Sequence, residues 1–151
     1  MSHKWFKIRR RLFYRFHGKN AYSIHSPHVF NYYTTSYLPT IRSGHVNVIE
    51  DFQKWCRKNF PECTFVKYDL SDTGDLERLK EDNISNFKYE NDDNVIVIYL
   101  NINESPATLQ QWNQEMDTKN AGLSIETYYF GAIFHEEWFA KQKITLRHQS
   151  V

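Results

Sequence analysis

Apolar residues in this chain recur three or four apart over long stretches and elsewhere bunch into short unbroken runs, two patterns that predict helices and buried strands. Trp5, Ile8, Leu12 and Phe16 form one such stripe with basic residues between them, so the spacing predicts an amphipathic helix ending near Gly18. A ring-bearing stripe needs cover, and this helix is expected to dock by its aromatic face with its charges in water. A second helix is predicted from "SIHSPHVF": Ser26 can cap and Pro27 suits the first helical position. Val29, Phe30, Tyr33 and Tyr37 then make one side, and Pro39 is expected to end it. A third, from about Val46 to Asn59, turns Ile49, Phe52 and Trp55 or Cys56 inward and is closed by Pro61.

The pattern then changes. "TFVKYDL", Thr64 to Leu70, is rich in β-formers, and "SDTGDLERLKED" reads as a turn followed by a helix bearing Leu76 and Leu79. "VIVIYL", Val95 to Leu100, is apolar without alternation, as expected of a central strand buried on both faces. Ser105-Pro106 repeats the cap-then-proline device before a helix carrying Leu109, Trp112 and Met116. "LSIETYYF" and "GAIFH" are strand-like with Gly131 marking a bend or bulge, "EEWFAK" suits a helical turn, and "KITLRH" is the last predicted strand. The fold class is therefore α/β: N-terminal helices over residues 1–40, then a core over 41–151 whose C-terminal part is antiparallel, in one domain.

Composition adds an asymmetry. Lys plus Arg number 19 and Asp plus Glu 18, so the net charge recruits neither nucleic acid nor membrane. Yet Lys4, Lys7, Arg9, Arg10, Arg11, Arg15 and Lys19 crowd the start with no acid among them, whereas Asp69 to Asp93 is mainly acidic. Aromatic residues make up 17%, which argues for a packed core. Cys56 and Cys63 match neither a zinc knuckle nor a redox pair and are expected as reduced thiols. No apolar run approaches the roughly 20 residues of a bilayer span, and a cytoplasmic location is expected.

Four stretches are candidates for chemistry. His25 and His28 have a spacing that could meet one metal ion, but no further ligand pair stands near, and capping by Ser26 explains the motif. Asp69, Asp72, Gly74 and Asp75 lie where a strand runs through a turn into a helix, the place where α/β proteins hold nucleosides and phosphates. A phosphate loop needs several glycines, and the plainer reading is a helix capped by Asp. Asn101, Asn103 and Glu104 follow the buried strand and can face a ligand, although Glu104 equally suits the start of a helix. His135-Glu136-Glu137 reads as a solvated turn. The basic first helix could also lie on RNA or an anionic membrane.

"GKNAYSIHSPHVFNYYTT" resembles the "G-x-H-S-P-F-V-[FY]" segment of class I S-adenosylmethionine-dependent methyltransferases of a Bacteroidetes type. Ile24, His25, Ser26, Pro27, Val29 and Phe30 match, while Ser23 and His28 replace the usual glycine and phenylalanine. The closing segment is similar to that group's end through Trp112, Ile125, Tyr129, Gly131, Ile133, Phe134, Leu146 and Arg147. The resemblance implies a reduced Rossmann-like sheet with an antiparallel C-terminal strand pair. The glycine-rich loop is not recognisable, with Ser71 and Thr73 where glycines are expected, and the paired aspartates after the late strand are missing. An inactive binding or regulatory module is thus expected, with no cofactor, no metal and no catalytic residue, pairing with itself or a full-length relative. In the alternative, a minimal methyltransferase, Asp69, Asp72 and Gly74 would border S-adenosylmethionine and Asn101 or Glu104 would face substrate.

Overall fold

A computed structural model describes residues 2–19, 24, 26–44, 47–84, 95–118, 123–134 and 142–147. His25, the run from His135 to Ala140 and their predicted roles lie outside the described residues. Helix α1 (His3–His17) comes first, followed by α2 (Pro27–Tyr32), a π-helical turn (Tyr33–Tyr37), α3 (Leu38–Arg42) and α4 (Val48–Asn59). The α/β part follows as β1 (Thr64–Asp69), α5 (Thr73–Ile84), β2 (Val95–Leu100), α6 (Pro106–Thr118), β3 (Leu123–Glu126), β4 (Phe130–Phe134) and β5 (Gln142–Thr145).

The five strands make one mixed sheet in the order β1-β2-β4-β3-β5. β1 and β2 are parallel and in register from Thr64↔Val95 to Asp69↔Leu100, with α5 in the connection between them. β4 runs antiparallel between β2 and β3, the strand pair expected at the end of the chain. β5 departs from the expectation, because it joins the sheet parallel to β3 rather than antiparallel.

β2 explains why the sheet has two covered faces. Successive side chains of a strand point to opposite sides, and all of Val95 to Tyr99 are buried. Ile96 and Ile98 meet the side formed by α2, the π-turn and α4, where Tyr32, Phe52 and Trp55 pack with Phe130 and Phe134. Val97 and Tyr99 meet the other side, where Leu79 of α5 and Trp112 of α6 close over Ile133.

Three details differ from the periodicity. Pro39 does not end the second helix: the backbone widens to a π-turn in which the Leu38 N–H reaches back to the Tyr33 carbonyl, and the helix continues to Arg42. Widening leaves room for a proline ring that would clash with an α-helical carbonyl. Thr34 and Thr35 hydroxyls donate to the Phe30 and Asn31 carbonyls at 2.9 and 2.6 Å, taking up acceptors in the disturbed turns. Phe30 is exposed, and Tyr32 takes the buried place beside Val29. Gly131 marks no bulge, since it pairs regularly with Tyr99 and Glu126; a Cβ there would lie 2.5 Å from the Trp112 ring, so packing requires the glycine.

Candidate functional site

β1 and β2 end side by side, which brings Asp69 next to the residues after Leu100. Asn101 adopts a left-handed backbone at φ 58°, a conformation that asparagine tolerates better than most residues. Its amide donates to Asp69 Oδ1 at 2.8 Å, and the same oxygen accepts from the Ser71 hydroxyl at 2.6 Å and the Ser71 N–H at 2.9 Å. Burial acts upward on the Asp69 carboxyl, but the Ser71 and Asn101 donors together outweigh it and hold the group below the ordinary carboxylate range. Asp72 Oδ2 accepts from the Asp75 N–H at 3.0 Å, and Asp75 Oδ2 accepts from the Asp69 N–H at 2.8 Å. These carboxylates therefore spend hydrogen bonds on their own turn, as the capping interpretation of this stretch expects. Gly74 has negative φ, and a Cβ there would meet only the Asp72 carboxylate, at 3.3 Å.

Glu104 stands apart from that loop. Its carboxylate pairs with Lys7 Nζ of α1 at 2.9 Å, and Asn101 and Glu104 share a shallow depression of about 130 Å³ with Lys7, Asn103, Tyr128 and Tyr129. Small-molecule sites usually enclose about 300–1,000 Å³. Asp69, Asp72 and Gly74 do not line the depression, so the structure does not bring them together with Glu104. A larger groove of about 350 Å³ runs between the π-turn and α4, but its Thr40 hydroxyl already donates to Asp51 at 2.8 Å. Among the described residues no group of three or more His, Cys, Asp or Glu could hold a metal ion, and no helix is long and apolar enough to cross a membrane.

The side chains that periodicity missed hold α1 in place. Arg10 points inward, donating from Nε to Asn103 Oδ1 at 2.7 Å and from a terminal nitrogen to the Tyr14 hydroxyl at 3.1 Å, with Glu126 Oε2 at 3.6 Å. Glu126, at the end of β3, also accepts from Trp112 Nε1 at 2.6 Å. Asn103 completes the set by donating to the Tyr14 hydroxyl at 3.0 Å and to the Tyr128 carbonyl at 2.9 Å. Burial, then the negative charge of Glu126, pushes the Tyr14 phenol far above its usual range. Phe6 and Tyr14 are the buried residues of α1, four positions to either side of Arg10.

The consequence reverses the expected docking. Trp5, Ile8, Leu12 and Phe16 are 64, 39, 46 and 72% exposed, so the longer apolar stripe faces out and the stripe containing an arginine faces in. A Phe6-Arg10-Tyr14 row was legible as a rival face, had a half-buried arginine been admitted to it. Gly18 ends the helix where a Cβ would strike the Arg147 backbone, and Lys19 bonds to the Thr145 carbonyl and the Arg147 N–H beyond β5 at 2.7 and 3.0 Å. Comparison of the chain with protein-family models, with curated proteins and with solved structures found no match.

Proposed function

We propose that this chain is a methyltransferase-like scaffold that serves as a binding module, with the outward face of α1 as its contact surface. The observation that carries the reading is the inversion of α1, whose Arg10 network fixes the helix while its aromatic stripe stays in solvent. Large exposed apolar surface on a structured element marks an interaction site more often than a defect. The binding role draws support from the strand-end aspartates, which bond within their own turn.

Calorimetric titration with S-adenosylmethionine and S-adenosylhomocysteine tests the reading, with Asp69→Ala as the control. We expect no heat of binding at millimolar ligand. Micromolar binding abolished by Asp69→Ala would instead favour a minimal methyltransferase and call for a substrate search.

A further inference from the structure

We propose that the partner of α1 is an anionic lipid surface, onto which the helix lies flat with Trp5, Ile8, Leu12 and Phe16 in the boundary between headgroups and acyl chains. The inference rests on the binding-module reading and names its partner.

Geometry comes first. The four residues follow one another at intervals of three, four and four, so they form a ridge along about 16 Å of the 15-residue helix. Because Phe6, Arg10 and Tyr14 hold the opposite side against the domain, the ridge points away from the body and can meet a plane without obstruction by α1's own anchor.

Charge then selects the occupant. Arg9 borders the ridge on one side and Lys4, Arg11 and Arg15 on the other, all exposed, and α1 contains no acid. An apolar face flanked by Lys and Arg, on a helix too polar to insert across a bilayer, is the pattern of helices that rest in an anionic interface. A second copy of this face would oppose basic residues with basic residues. RNA would use the cations and could stack on Trp5 and Phe16, but Ile8 and Leu12 in the middle of the ridge offer nothing to a base plane or a phosphate. An anionic lipid surface uses both the aliphatic and the cationic parts.

The test is co-sedimentation of the full chain with vesicles of phosphatidylcholine containing phosphatidylglycerol, against phosphatidylcholine alone. We expect binding to the first, little to the second, and weakening with added salt. Trp5→Ser with Phe16→Ser should lower the affinity at least about tenfold, given the apolar area withdrawn. Lys4→Gln with Arg15→Gln should lower it about 25-fold, near fivefold for each basic residue. All four side chains are exposed, so circular dichroism should be unchanged, and Lys54→Glu with Lys58→Glu on α4 should leave binding intact. The proposal is overturned by equal binding to neutral vesicles or by none. It is also overturned by insensitivity to Trp5→Ser with Phe16→Ser together with tight binding of single-stranded RNA, or by a dimer in solution that Leu12→Glu dissolves. Cofactor binding in the calorimeter would sink the binding-module reading whatever the vesicles show, and failure on vesicles alone would leave that reading with a different partner.

Discussion

Gly131 and Gly74 show how differently one residue type can matter. At Gly131 an added methyl group must displace the rigid indole of Trp112, which is wedged between Tyr99 and Glu126, whereas at Gly74 it would press only on the Asp72 carboxylate, at the end of an exposed side chain. Gly131→Ala is therefore expected to cost about 1–3 kcal/mol in chemical denaturation, the range for forcing extra volume into a packed interior. Gly74→Ala should stay within about 1 kcal/mol of wild type, and an equal loss at both positions would refute the packing argument. At this scale the sequence was informative but not about reasons. Gly131 was visible as an interruption of a strand, yet whether it answered a bulge or an indole on another element depended on a contact that no local pattern encodes.

Elements were legible wherever local signals agreed. Ser26 accepts from the Val29 N–H at 3.4 Å with Pro27 in the first turn, and the unbroken apolar run of β2 is buried throughout. Orientation was harder to read. For α1 the period of 3.6 was correct and the choice of face was wrong, because hydrophobicity counts Trp5 and Phe16 but cannot anticipate an arginine satisfied by Asn103 and Glu126 from distant segments. Arg10→Met would strip Glu126 of its cation and leave a buried carboxylate without its charge partner, so a loss of about 3 kcal/mol is expected. Arg10→Lys should recover only part of it, since an ammonium cannot serve Asn103, Tyr14 and Glu126 with one planar fork. Full recovery with lysine, measured by thermal melting, would show that charge alone holds the helix.

For the whole molecule, the class of fold and its antiparallel strand pair followed from element order, while the parallel β5 and the polarity of the site depended on long-range pairing. Global stability carries a signature of its tyrosine-rich core. The Tyr32 and Tyr37 hydroxyls find no hydrogen-bond partner among the described residues, and burial first, then neighbouring phenols (with Cys56 and Asp51 near Tyr32), raises both well above their usual value. A folded-state value above the unfolded one means that stability is intact below about pH 10 and falls as pH rises beyond it, by about 1.4 kcal/mol per pH unit for each phenol. Tyr32→Phe with Tyr37→Phe should flatten that alkaline decline and raise stability at neutral pH by about 1 kcal/mol per hydroxyl removed. A destabilised double variant, followed by urea denaturation across pH, would mean that the hydroxyls are satisfied after all.

The ties of α1 also govern the order in which the molecule assembles. Arg10 bonds to a residue 93 positions later and Arg11 to Tyr128, 117 later, while Lys19 closes against the strand that ends at Thr145. Closing loops of that length is slow, and the partners exist as a surface only once β2, β3 and β4 have paired. Helix α1 is thus expected to dock late, and during synthesis it emerges with its aromatic ridge long before the residues that will seat it have been made.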